Sequence, residues 1–212
     1  MAPKKKTLSE RENTSEGLPH NENRQLPSPY LAYRPSTVTE PMLQSLVDMG
    51  VVPPKEVANW RVCKKKDDAA PTEDTYEAMV FMPFFIRGLG LPVCSFVRGL
   101  LQFYAINLTH LNPNSILQLS IFIHLCEAFL GIIPHFGLWK YLYHCKASLR
   151  DGVLQVTGGA SFELRKNRKA VYLDIPLPDN NRGWHSEWFY IENHGNSLPS
   201  RSGRQPDSKL AS

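Results

Sequence analysis

The spacing of apolar side chains predicts three helices through the middle of the chain. Residues 92–106 have an amphipathic pattern, in which apolar positions recur at about 100° per residue. Residues 112–131 are apolar on nearly every side, so they predict a helix that is buried on most sides. A further helix is predicted from Pro134 to Lys146.

Shorter elements precede these helices. Residues 39–49 predict a short helix with a threonine N-cap and Gly50 just beyond its end. The pair Pro53–Pro54 begins a second short helix. Residues 79–90 predict an extended stretch followed by a short helix that Pro83 begins.

The apolar period changes from helical to strand-like in the last third of the chain. Short runs of β-forming residues occur at 153–157, 161–164 and 170–175. Gly158 and Gly159 supply one of the turns between them. This segment therefore predicts a small β element.

These elements define the predicted fold class and domain organisation. The fold class is mainly α with α+β character, with a compact helical core at 79–147 and a small antiparallel β element at 150–176. Together with the upstream helices they form one predicted domain, residues 36–192. The polar ends, residues 1–35 and 193–212, are predicted to be disordered tails.

Charged side chains are almost absent from the predicted helical core. Only five of the 44 charged residues lie in the segment 79–147. Such a segment is either a protein core or a membrane span. A carboxylate such as Glu127 costs about 3 kcal/mol in the middle of a span, and prolines bracket the long helix. The pattern therefore predicts a core helix and no membrane span.

Two features bear on the cellular compartment. The start of the chain has no apolar signal segment, and the four cysteines form no CxxC pair, so an intracellular protein with reduced thiols is expected. The run Lys4–Lys6 is compatible with import into the nucleus.

Residue types used in metal binding and acid–base chemistry lie in and after the long helix: His124, Cys126, Glu127, His135, His144 and Cys145. Their spacing matches no zinc motif, so neither a metal site nor a cofactor is predicted. His124 and Glu127 could form an acid–base pair, or they could belong to a polar stripe on a buried helix together with Ser120. The sequence contains no phosphate-binding loop, nucleophile elbow or metalloprotease motif, so no catalytic residues are predicted.

Basic residues concentrate in a predicted turn. Arg165, Lys166, Arg168 and Lys169 lie between two predicted strands and near the aromatic segment 184–190. Basic residues beside aromatic rings are typical of surfaces that bind single-stranded nucleic acid. The alternative interpretation is a solvated hairpin turn.

Residues 101–146 read LQFYAINLTHLNPNSILQLSIFIHLCEAFLGIIPHFGLWKYLYHCK, and their characteristic parts are L-x-P-N-S-I and F-x-H-L-C-E-A-F-L-G-I-x-P-H-F-x-L-W. This segment resembles the gypsy-type transposon domain family of plants. The motif residues are Asn112, Pro113, Asn114, His124, Cys126, Glu127, Gly131, Pro134, His135 and Trp139. The resemblance extends over roughly residues 40–192.

The resemblance implies a product of a long-terminal-repeat retrotransposon and brings no assigned catalytic residues. The predicted function is therefore a non-enzymatic structural or interaction role of the gag-like kind. The expected partners are a second copy of the chain or other retroelement proteins, and nucleic acid is a further expected partner. Two alternatives stay open: a nucleic-acid-associated module of a retroelement polyprotein, and a transposase- or integrase-type enzyme that processes DNA.

Overall fold

The computed structural model describes seven stretches of the chain. These are residues 34–64, 76–150, 153–168, 171–173, 175–178, 182–193 and 197–199. The two predicted tails lie mostly outside the described residues. Within the predicted C-terminal tail, however, Leu198 is buried and the Ser197 carbonyl accepts a hydrogen bond from the Val93 amide at 2.9 Å. The bounds of the two tails stay a prediction.

Two short helices lead into the fold, as predicted. Helix α1 spans Glu40–Asp48, with Thr39 at the N-cap position. It ends before Gly50, whose φ of +69° is the left-handed conformation that glycine favours. Helix α2 spans Lys55–Ala58, and the buried Trp60 follows it.

The first sheet joins residues from distant parts of the chain. Strand β1, Glu77–Phe81, pairs antiparallel with strand β6, Trp188–Glu192. Helix α3, Met82–Ile86, follows β1 directly, which confirms the predicted extended stretch and short helix. The ring of Trp184 packs edge-on against that of Phe81 at 4.7 Å and closes this end of the core.

Two helices form the centre of the fold. Helix α4 spans Ser95–Phe103 and is shorter at both ends than predicted. The predicted helix cannot continue to residue 106, because Ala105 has a φ of +51°, which the right-handed helix does not allow. Helix α5 spans Pro113–His124, and the chain continues as a π-helical segment, Leu125–Leu130, up to Gly131.

The prediction that this long helix is buried on most sides is wrong for its last turns. Cys126 is buried, but Phe129 is 74% exposed and Leu130 is 54% exposed. Ile132 and Ile133, which follow Gly131, are exposed as well. An apolar sequence pattern does not distinguish a face that other elements cover from one that they leave uncovered.

A second sheet replaces the end of the predicted third helix. Helix α6 spans only Phe136–Leu142, and strand β2, Tyr143–Ala147, follows at once. Strand β2 pairs antiparallel with strand β5, Ala160–Leu164. Cys145 is buried and Lys146 is exposed, as the two-residue period of a strand requires. The prediction of a helix to Lys146 is wrong because long-range strand pairing overrides the local pattern.

The predicted β element is only partly present. Strands β3, Leu149–Arg150, and β4, Val153–Leu154, form a short antiparallel pair. The predicted strand at 161–164 is confirmed as β5. The described residues of the predicted strand at 170–175 contain no strand, so that prediction is wrong.

The fold is a mixture of helices and strands rather than mainly α. In the described part of the chain, the strands form three two-stranded antiparallel pairs. The two longer pairs each join a strand at one end of the predicted helical core, 79–147, to a strand later in the chain. One continuous hydrophobic cluster connects the helices to both of these sheets.

Candidate functional site

The N-terminus of α5 is held by a small network of hydrogen bonds. Asn112 Oδ1 accepts hydrogen bonds from the Ser115 amide at 2.8 Å and from the Ser115 hydroxyl at 3.0 Å. This N-cap satisfies an amide that the helix itself leaves without a partner. Ser115 Oγ also accepts from the Phe162 amide of β5 at 2.9 Å. Asn112 is therefore the N-cap of α5, and the network joins α5 to the second sheet.

Five further motif residues occupy structural positions. Pro113 is the first residue of α5 and is buried, and Asn114 Nδ2 donates to the carbonyl of residue 178 at 3.3 Å. Gly131 ends the long helix with a φ of +63°. Pro134 is buried, and His135 Nδ1 accepts from an amide in the first turn of α6 at 3.3 Å.

Trp139 lies at the centre of an aromatic cluster that joins α5, α6, β2 and β5. Its ring stacks on Tyr143 at 4.1 Å and meets Phe122 and Phe162 edge-on, each at 5.1 Å. Burial raises the pKa of the Tyr143 phenol far above its ordinary value. Trp139 is fully buried, and its Nε1 has no hydrogen-bond partner among the described residues. It therefore belongs to the core rather than to a ligand site.

The two buried thiols are poorly suited to chemistry. Burial raises the pKa of the Cys126 thiol, and the Glu127 carboxylate adds to the rise. Burial also raises the pKa of Cys145 to about 12. Both cysteines are therefore protonated at neutral pH and are weak nucleophiles and ligands. Within the described ranges, no three His, Cys, Asp or Glu side chains are grouped closely enough to hold a metal ion.

The polar stripe of α5 faces a cleft of about 250 Å³. Ser120, His124 and Glu127 line this cleft together, so the predicted shared face is confirmed. The segment from Gly88 to the exposed Cys94 lines it as well. The rest of the lining is apolar and includes Val97, Ile116 and Leu119.

Close packing at Gly88 brings the cleft segment against α5. Gly88 has a φ of +92°, and a Cβ atom at this position would lie 2.7 Å from Ser120 Oγ. Glycine is therefore required here by conformation and by space. The sequence signal for this segment is the Gly-Leu-Gly turn at 88–90, which by itself predicts only a turn.

An exposed apolar surface adjoins the cleft. We call it the apolar tip, and it consists of Phe129, Leu130, Ile132 and Ile133. Their exposed fractions are 74%, 54%, 39% and 85%, which together equal about two and a half fully exposed residues. Covering them would contribute about 4–8 kcal/mol. The ring centroids of His124 and Phe129 are 5.5 Å apart, so the tip begins where the cleft ends.

A second surface combines cations with aromatic rings, and we call it the basic face. Arg165 Nε donates to the Lys140 carbonyl at 3.0 Å, and Lys140 Nζ lies 5.1 Å from the centre of the Phe103 ring. The Arg168 guanidinium lies 3.8 Å from the centre of the Tyr141 ring. Phe103 and Tyr141 are about half exposed.

The sequence interpretation of this basic region needs correction. Lys166 is exposed beside the two arginines, and Lys169 lies outside the described residues. Trp184, Trp188 and Phe189, the rings expected beside the basic residues, are all buried in the core. They anchor the later segment to the core and are not available to stack on bases.

Comparison with known proteins supports the family resemblance over part of the chain. Residues 79–147 match the model of the family described as "Putative gypsy type transposon". The match covers 69 of the 212 residues, and this segment is similar to a transposon-related, gypsy-type domain. No curated protein and no solved structure matches the chain.

The matched segment includes one helix with the length and composition of a membrane span. This run is Pro113–Leu130, and a third of its residues are buried within the fold. Core helices meet the same criteria. The absence of a membrane span stays a prediction.

Proposed function

We propose that the chain acts by binding rather than by catalysis, as a structural or interaction domain of a gypsy-type element with a gag-like role. The observation that carries this proposal is the apolar tip. Packing accounts for Asn112, Cys126 and Trp139, because they cap a helix or fill the core. It does not account for Phe129 and Ile133, which are apolar and exposed. Uncovered apolar patches are typical of protein interaction sites.

Catalysis at the cleft is the competing proposal. His124, Glu127 and Cys94 line the same cleft, and these residue types serve in acid–base and nucleophilic chemistry. The substitution Glu127→Gln separates the two proposals. Loss of a DNA-processing activity in a folded variant supports catalysis, whereas unchanged folding and unchanged partner binding support an interaction domain.

The test uses the purified full chain and the other proteins encoded by the same element. Binding is measured by biolayer interferometry for the wild type, for Phe129→Ser and for the control Val57→Ser. Val57 is 76% exposed on α2 and lies outside the tip. We expect Phe129→Ser to weaken binding at least about tenfold and Val57→Ser to leave it unchanged. The proposal is contradicted if the protein cleaves or joins DNA in the presence of Mg²⁺ or Mn²⁺ and this activity co-purifies with it.

A second candidate function is the binding of single-stranded nucleic acid at the basic face. Lys140, Arg165 and Arg168 lie beside the exposed rings of Phe103 and Tyr141. Cations that contact phosphates and rings that stack on bases are the two parts of such a surface. We favour it less because Arg165 already donates to the Lys140 carbonyl and the Arg168 guanidinium already covers the Tyr141 ring.

The second candidate is tested by the salt dependence of binding. Fluorescence anisotropy with a labelled single-stranded oligonucleotide is measured between about 50 and 200 mM salt. The variants Arg165→Ala and Lys166→Ala should each make the slope of log K against log salt less steep by about 0.7. Absence of binding at the lowest salt, or a slope that neither variant changes, contradicts this candidate.

A further inference from the structure

We propose that the chain pairs with a second copy of itself, and that Phe129 of each copy enters the cleft of the other. This inference rests on the proposed interaction role of the apolar tip and names its partner. It also gives the cleft a function, as the receptor for an aromatic side chain.

The position of Phe129 is the first reason. Phe129 is 74% exposed, so it does not fill the cleft of its own chain. It nevertheless begins at the rim of that cleft, because its ring centroid lies 5.5 Å from that of His124, which lines the cleft. Each copy therefore presents a protruding ring directly beside a recess.

The size and chemistry of the cleft are the second reason. Its volume is about 250 Å³, and an apolar cavity of about 150 Å³ is large enough to bind benzene. Val97, Ile116 and Leu119 supply an apolar lining for the ring. The cleft is therefore large enough for a phenylalanine side chain, and its apolar side offers the ring a contact surface beside the polar stripe of Ser120, His124 and Glu127.

Symmetry and charge favour a second copy over an unrelated partner. A surface that holds both a ring and its receptor can pair with itself about a two-fold axis, and each pairing then occurs twice. Such a pair covers two apolar tips and two clefts. The area covered in this way contributes to the roughly 800 Å² that each partner buries in a standard interface. The segment 79–147 carries only five charged residues, so two copies meet there with little repulsion between like charges.

The exposed thiol of Cys94 provides the decisive test because it lies in the lining of the cleft. The experiment uses the full chain with Cys63→Ser, which leaves Cys94 as the exposed cysteine in the described part of the chain. The other two cysteines, Cys126 and Cys145, are buried there. The mass is measured by sedimentation equilibrium over a range of concentrations. The rate of reaction of Cys94 with a maleimide is measured over the same range.

We expect the mass to rise from one copy to two with concentration and the labelling of Cys94 to slow in parallel. Phe129→Ser should weaken pairing about 30-fold and restore fast labelling, whereas Val57→Ser should change neither. A monomer at every concentration overturns the inference. Pairing that leaves Cys94 equally reactive, or that survives Phe129→Ser, also overturns it. None of these outcomes decides whether the tip binds other proteins of the element, which the interferometry measures separately.

Discussion

Replacement of Ser115 by alanine should destabilise the fold, although the two side chains differ by one hydroxyl group. Ser115 is completely buried. Its hydroxyl donates to Asn112 Oδ1 at 3.0 Å and accepts from the Phe162 amide at 2.9 Å. The substitution therefore weakens the cap of α5 and cuts the connection between α5 and β5.

The magnitude follows from these two hydrogen bonds. Loss of the bond to Asn112 should cost about 0.5–1.5 kcal/mol, and a buried Phe162 N–H without its partner should cost a further 1–3 kcal/mol, roughly. The free energy of unfolding should fall by about 1.5–4.5 kcal/mol. For a chain of this length, that corresponds to a decrease in Tm of about 3–18 °C.

Urea unfolding followed by circular dichroism measures the effect. The matched control is Ser45→Ala, the same substitution at an exposed position of α1, where alanine should be neutral or stabilising by about 0.5 kcal/mol. If the two variants unfold at the same urea concentration, the Ser115 hydroxyl does not connect α5 to β5.

Three other outcomes are expected from the core. Trp139→Ala should cost about 3–5 kcal/mol in urea unfolding, whereas Trp139→Phe should cost less, because the phenyl ring leaves a smaller cavity and the lost N–H has no partner among the described residues; equal losses would contradict this reading. Gly88→Ala should cost about 1–3 kcal/mol, and adding Ser120→Ala should recover only the part that comes from crowding against Ser120 Oγ, because the Ser120 Cβ 2.9 Å away and the φ of +92° remain. Stability should fall as the pH rises from about 9 toward 12, because burial raises the pKa of Cys145 from 9.0 to about 12 and the unfolded chain therefore loses this proton first. Cys145→Val should reduce that decline in urea titrations, and an unchanged decline would assign it to other groups.

Local rules were sufficient for the ends of several helices. Asn112 and Gly131 are recognisable as cap residues because the chemistry of a cap depends on neighbouring amides and on a left-handed φ. The polar stripe of α5 was also predictable, because helical geometry alone places Ser120, His124 and Glu127 on one side.

Long-range pairing was not predictable in the same way. Tyr143 and Cys145 fit a helical pattern equally well, and their strand conformation depends on β5, which follows later in the chain. The cleft likewise depends on how the Gly88 segment packs against α5. The apolar tip had no sequence signal, because the composition of Phe129 and its neighbours is the same for a covered and for an exposed surface.

Under the proposed function, the apolar tip is the part of this domain that binds. Mass photometry of the full chain, alone and with the other proteins of the proposed element, tests this for the wild type, Phe129→Ser and Val57→Ser. We expect a complex that the wild type and Val57→Ser form and that Phe129→Ser weakens at least about tenfold. The absence of any complex, or complexes that Phe129→Ser leaves unchanged, would contradict it.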